Sequence, residues 1–328
     1  MNSFRHKVSL IYAGFILVWA LSRWLIQDRF WLFALLNMLA EYYFVPLPFL
    51  ILMALFRNEK KALLSLAVPL AVFLIFWGQL YLPKFPRAWT ASHPALRAMT
   101  YNVLVTNRNP QQIIDVVVEA APDIIGFQEL SRHNIPPLDA GLLAAYPYNT
   151  FAEFTGARSD VGLVSRYPIL SVERFSFPPE ERAMHAVINW NGRRVHVFIV
   201  HFTANNLLQQ TLAGAPALAT ERFGQRAYQV QRLREEITGL DEPILVLCDC
   251  NMLDTSATYT AMSEMFTDSF KESGWGSGHT SISSFIPIPY QRVDYIWHSA
   301  EFLSTHTVVG NNQSSDHHPV ISHLMLRP

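Results

Sequence analysis

Cysteine is nearly missing from this 328-residue chain, which has two, Cys248 and Cys250. So few exclude a disulfide framework, and with no second pair or nearby histidine at ligand spacing they exclude a structural zinc site. The two read as plain buried core thiols. No G-x-S-x-G stretch offers a serine nucleophile elbow, no Gly-rich run leads into a helix to cradle phosphates, and there is no internal repeat or low-complexity tract. Acids are scarce at one end. Residues 1–88 hold three (Asp28, Glu41, Glu59) against nine Lys or Arg, which leaves 23 acids against 16 bases, a formal −7, for residues 89–328. The net charge of −1 therefore averages a basic apolar part and an acidic remainder. That remainder lacks the broad basic face with which proteins bind nucleic acid.

What is present first is apolar length. Residues 8–25, 30–56 and 62–82 each approach the roughly 20 apolar residues that cross a bilayer as a helix. A cleaved leader is the alternative for the first run, with Arg5 and Lys7 ahead of it and small residues near Ala20, but two further runs follow at once. The second run carries Glu41, then Pro46 and Pro48, so its front half reads as an interfacial helix leading into a kinked span. Glu41, beside Tyr42 and Tyr43, reads as a residue at headgroup level. Arg5, Lys7, Arg57, Lys60 and Lys61 flank the runs on one side, and Arg23 and Arg29 on the other. That bias predicts three crossings of the cell (inner) membrane, a cytoplasmic N-terminus and an extracytoplasmic remainder, although Lys84 and Arg87 count against it. The expected organisation is a membrane region over 1–88 and one further domain over 89–328.

Residues 82–94, with three prolines, read as a stiff exit linker. The centre of the remainder is ILVLCDCN at 244–251. A short apolar run bounded by turn residues is a strand buried on both faces. Alternation then puts Asp249 and Asn251 on one face and the two cysteines on the other. Other runs end the same way: 96–103 delivers Asn102, 124–127 leads to Glu129, and 194–201 ends in His201. The last is paired through Asn191-Gly192, a strong hairpin signal, with 185–190. Further strands are expected at 161–165, 169–172, 293–297 (holding Asp294), 305–309 and 320–326. Helices are expected at 111–120, 225–237 and about 259–266, and a long loop at 205–223. Strands outnumber helices, which predicts two sheets packed face to face with helices outside.

The polar inventory at the strand ends is Asn102, Glu129, His201, Asp249, Asn251, Asp294, Asp316 and His317. Singly, each has a bland reading: a turn former, a helix N-terminal acid, a strand-end histidine. Together, hard oxygen ligands suit Mg²⁺, with Mn²⁺ as the alternative. Histidines among acids suit phosphoryl chemistry, with a cation at the phosphate oxygens, an activated water and imidazoles facing the developing charge. An acid bonded to a histidine would set its tautomer, a task for Asp294 or Asp316.

MTYNV at 99–103, DIIGFQE at 123–129, VGLVSRYPI at 161–169, IVHF at 199–202, CDCN at 248–251, RVDYI at 292–296 and SSDHHPV at 314–320 resemble the endonuclease/exonuclease/phosphatase superfamily, in its motif order. The resemblance covers about residues 96–328 and implies a four-layer α/β/β/α sandwich. It implies Glu129 as the principal Mg²⁺ ligand, with Asn102 and Asp316 near the metal. It further implies His201 and Asn102 at the scissile phosphate, Asp249 orienting or deprotonating the attacking water, Asn251 placing water or phosphate, and His317 on the phosphate paired with Asp294. Cys248 and Cys250 depart from the usual residues around that Asp, and Leu104 stands where DNA-repair members often have Asp. The function expected is a membrane-tethered phosphoesterase acting on a lipid headgroup or small phosphoester at the lipid bilayer. An exported nuclease is the alternative, for which Arg158, Arg166 and Arg292 would line a groove, and a non-catalytic membrane module is the least favoured.

Overall fold

The computed structural model describes residues 2–28, 30–84, 94–153, 160–179, 182–204, 214–283 and 287–327. Most of the expected linker, and Arg29, Arg158 and residues 205–213, lie outside them. The chain forms two compact units. The first is Met1–Leu82 together with Asn205–Gly224 and Leu253–Thr260, and the second holds the rest.

In the first unit, α1 (Asn2–Leu25) and α4 (Lys60–Tyr81) contain the stretches long and apolar enough to cross a membrane. The middle run is broken: α2 (Trp31–Met38), a 3-10 turn (Ala40–Phe44) and α3 (Pro46–Phe56) form a helix pair bent by 58°. Pro46 and Pro48 start α3, where missing N–H donors cost nothing. Backbone carbonyls around the break are capped by phenols: Tyr12 donates to Tyr43 O and Tyr43 to Leu36 O, both at 2.9 Å. Glu41 lies in the turn itself. Arg5 pairs with Glu59 at 3.1 Å near the starts of α1 and α4, and Trp19 stacks on Trp77 toward their ends. The two long helices thus run parallel, and residues 31–56 carry the chain from the end of one to the start of the other.

The second unit is built on two six-stranded mixed sheets. Its elements in chain order are β1 (Leu96–Asn102), α5 (Pro110–Ala120), β2 (Ile124–Leu130), α6 (Ile135–Leu142), β3 (Tyr148–Asn149), β4 (Asp160–Ser165), β5 (Ile169–Arg174), β6 (Ala183–Trp190) and β7 (Arg193–His201). There follow α7 (Ala215–Ile237), β8 (Ile244–Asp249), α8 (Ala257–Ser263), β9 (Thr267–Asp268), α9 (Ser269–Ser273), β10 (Asp294–His298), β11 (Phe302–Val309) and β12 (Val320–Leu326), with the first part of α7, to Gly224, and of α8, to Thr260, belonging to the first unit. One sheet has the order β11-β12-β1-β2-β4-β3, the other β5-β6-β7-β8-β10-β9. The pairs β1–β2 and β7–β8 are parallel, and the other pairings are antiparallel.

Strand alternation builds the layers. Ala98, Ile124 and Leu163 of the first sheet meet Val197, Ile199, Leu245 and Leu247 of the second in one buried core. Their neighbours Met99, Tyr101, Ile125 and Phe127 face outward onto Ile113 and Val117 of α5 and Leu138 of α6. On the second sheet's side, α7 buries Val230 and Leu233 and bonds the chain next to the strands, Gln229 to Pro178 O and Thr203 N. The sandwich matches the expected fold, and the Asn191-Gly192 hairpin closes as read, with both residues at positive φ.

Three readings are corrected. The loop expected over 205–223 is helical from Ala215, because Pro216 sits in a first turn that needs no N–H and Ala, Leu and Gln are good helix formers. Cys248 and Cys250 are disulfide-bonded rather than free: they share a face with Cα atoms 5.1 Å apart, within disulfide reach. Arg166 and Arg292 line no groove together. Arg292 is buried against Asp268 at 2.6 Å, and Arg166 pairs with Asp123 at the start of β2, the opposite end from Glu129.

Candidate active site

Five of the eight residues stand on strands that end or begin side by side. Register places His201 beside Asp249 across β7–β8, and Asp249 beside Asp294 across β8–β10. Asn102 ends β1, and Glu129 lies one residue before the end of β2, inside the stretch between Phe127 and Leu130 where pairing with β4 slips. The slip accompanies a left-handed Glu129 (φ 59°), and Leu104 (φ 61°) and Asn251 (φ 47°) share that conformation. Backbone strain of this kind concentrates where side chains are being aimed.

Asn102 joins the two sheets. Its amide donates to Asp249 Oδ2 at 2.8 Å and Glu129 Oε1 at 3.2 Å, while its oxygen accepts from Leu104 N. Glu129 Oε2 accepts from Val105 N at 2.8 Å. Desolvation raises the Glu129 carboxyl, but His201, the Val105 N–H and Asn102 outweigh it and hold it below its ordinary value. Asp249 Oδ1 accepts from Asn251 N, and the Asn251 amide is anchored on Phe202 O at 3.1 Å. Burial and then Asp294 push Asp249 upward, against the pull of His317, His201 and Asn102.

The two histidines differ in state. His201 Nδ1 lies 3.1 Å from Arg182 Nη1. A guanidinium only donates, so Nδ1 must accept, and the imidazole hydrogen sits on Nε2, 3.3 Å from Asp249 Oδ2. Burial pushes this histidine's pKa down, which keeps it neutral. His317 Nδ1 lies 2.8 Å from Asp294 Oδ2. Burial opposes its charge, but Asp294 and Asp249 prevail and raise it well above the ordinary value. That shift favours the imidazolium form of His317. Ser315 fixes its loop, donating to Asn102 O and accepting from His317 N. Asp316 beside it is exposed, and its carboxyl is raised by desolvation and by Glu129 against His317.

All eight residues are brought into one constellation, and Arg182 is an addition. Its signal was in the hairpin: counting outward from Asn191-Gly192 places it opposite His201, whose N–H bonds to Arg182 O. The donor set fits a hard divalent cation. The Glu129 charge raises the cost of ionising Asp316. Asp294 Oδ1 is buried with no hydrogen-bond partner among the described residues, and one ligand atom each from Asp249, Asp294 and His317 lies within 4.8 Å of the others.

Two packed mixed sheets with carboxylates, carboxamides and histidines at their strand ends define a phosphoesterase-type sandwich. The chain matches the model of the Endonuclease/Exonuclease/phosphatase family over residues 99–317, two thirds of its length and all eight residues. It belongs to that family of metal-dependent phosphoesterases and is a phosphoric ester hydrolase. Solved structures share the fold at low identity. An endonuclease/exonuclease/phosphatase of Bacteroides vulgatus is 18% identical (TM-score 0.55), covering 71% of this chain and 99% of the other. A mannosyl-6-phosphatase of Bacteroides thetaiotaomicron is 17% identical (0.54; 70% and 100%). Sphingomyelinase C of Streptomyces griseocarneus is 19% identical (0.51; 70% and 99%). No curated protein sequence matches the chain.

Proposed function

We propose that this chain is a membrane-tethered, Mg²⁺-dependent phosphoesterase that hydrolyses a small or lipid phosphoester by attack of water. The observation carrying the reading is the pair of buried histidines set around one buried carboxylate, His201 against Arg182 and Asp249 and His317 against Asp294. In this reading Asp249 accepts the proton of the attacking water, its raised pKa making it a stronger base, and the Asn251 amide orients that water or a phosphoryl oxygen. His201 Nε2–H and the charged His317 donate to phosphoryl oxygens, where negative charge grows in the transition state. Asp294 keeps His317 charged and turned. Glu129, Asn102 and Asp316 would hold the cation, which when bound supplies Lewis-acid polarisation of the phosphate and an acidified water.

Three features support a small or lipid substrate. Residues 89–328 are acidic, with 23 acids against 16 bases. Arg292 is spent on a buried ion pair, and Arg166 lies at the wrong end of its sheet. The apolar helices would keep the enzyme at a bilayer, where lipid phosphoesters are concentrated. A mannosyl-6-phosphatase and a sphingomyelinase among the structural neighbours are consistent with either ester class.

The test uses the full chain in nanodiscs with mannose 6-phosphate, sphingomyelin, a phosphoinositide, RNA and duplex DNA across salt. Higher kcat/KM on a lipid or small ester is expected, whereas efficient DNA cleavage that falls steeply with salt would select the nuclease instead. Chelation should abolish turnover. Glu129→Ala should lower kcat by about 10²-fold or more while leaving the fold intact, as expected for loss of a charge-stabilising ligand.

A further inference from the structure

Asn251 holds a left-handed conformation that the backbone resists, so the chain on both sides must pin it. Upstream, Asp249 and Phe202 do so. Downstream, Met252 O accepts from Tyr295 at 3.0 Å, and the chain then passes into the first unit as Leu253–Thr260. There it is fastened by residues at the α1–α2 connection. Asp28 Oδ2 accepts the first backbone N–H of α8, from Ala257, at 2.5 Å. Thr255 donates to Asn37 O at 2.8 Å, and Arg23 donates to Thr260 Oγ1 at 3.0 Å. Asp28 and Asn37 are themselves locked, since the Asn37 amide donates to Asp28 Oδ1 at 2.8 Å and accepts from Trp19 Nε1. A second connection shows the same habit. The chain that leaves His201 enters this unit at α7, where Ala219 and Phe223 pack on Ala34, Trp31 and Met38.

We propose that Asp28, Asn37 and Arg23 are positioning residues for catalysis: the membrane helices clamp the segment that follows Asn251 and hold its amide in place. They are more than an anchor. The inference rests on the phosphoesterase reading of Asn251, but the clamp can be measured without it.

The experiment uses the full chain in nanodiscs, with bis(p-nitrophenyl) phosphate as probe and amide hydrogen exchange over residues 249–257. Asp28→Ala and Thr255→Val each remove one clamp bond from opposite sides. Each should speed exchange in that segment and lower kcat about tenfold with KM within about twofold, the signature of misplacement rather than lost binding. Thr255→Ser keeps the hydroxyl and should restore both. Glu59→Gln, which breaks the Arg5 pair at the far end of α1, should alter neither. Unchanged exchange in both clamp variants overturns the proposal, as does full kcat despite faster exchange. Glu129→Ala as active as the parent would sink the site reading instead, and the exchange measurement would still decide the clamp.

Discussion

At the scale of residues, His201 and His317 face one carboxylate and are sorted by their outer partners. Arg182 can only give hydrogen bonds, so His201 Nδ1 carries no hydrogen and the ring is neutral, while the Asp294 carboxylate takes the Nδ1 hydrogen of His317 and its charge raises that ring's pKa. The pH dependence follows in sign. His317 has a raised pKa, so its proton is present below that value and lost above it. Asp294→Asn removes the charge that raises it, so the alkaline limb of kcat/KM should move to lower pH, with a smaller change on the acid side. Matched pH profiles of the parent and the variant measure this, and an unmoved alkaline limb would dismiss the pairing as the cause. The eight site residues were legible because each sits at the end of, or next to, a buried apolar run, where a polar side chain has a cost to justify. Arg182 was harder to see. It stands just before a strand, and only the pairing register across the hairpin gives it meaning. The cysteine bond was missed because spacing alone does not say where a strand stops being straight.

Among the elements, legibility tracked length. The long buried runs that became β1, β2, β7 and β8 declare themselves, whereas β3 and β9 have two residues each and α9 five, too few for any periodicity. The start of α7 was masked by its polar patches. Another element-scale feature depends on a residue with no side chain. Gly126 on β2 faces β8 across the core, and a Cβ there would lie 2.7 Å from the Cβ of Leu247. The close approach of the two sheets, whose strand ends carry Glu129 and Asp249, depends on that gap. Gly126→Ala should destabilise the sandwich by about 1–3 kcal/mol, as overpacked cores do, and should also lower kcat by spreading the two carboxylates. Denaturant unfolding and kinetics on the same preparation test this. Lost stability with untouched kcat would mean the core absorbs the strain locally.

On the scale of the molecule, the sequence showed three apolar runs, but not whether the bent middle one turns back or passes through. The parallel arrangement of α1 and α4 ties the answer to whether both of them cross. The Arg5–Glu59 pair joins their starts, so residues 31–56 must travel the length of the unit. If α1 and α4 both cross a bilayer, the broken run crosses as well, and the N-terminus and Pro83 emerge on opposite faces. The same geometry gathers Arg5, Lys7, Arg57, Lys60 and Lys61 at one end, against Arg23 near the other end of α1. Basic residues are retained on the cytoplasmic side, so the catalytic unit should lie outside the cytoplasm. Lys84 and Arg87 oppose that bias, but they lie beyond the last crossing and ahead of a large domain, whose export depends little on nearby charge. Reporter fusions after residue 57 and at the C-terminus should report opposite compartments, and protease added to spheroplasts should digest the catalytic unit. Protection of that unit, with both reporters on the cytoplasmic side, would mean the bent run turns back in the membrane and that α1 and α4 do not both cross.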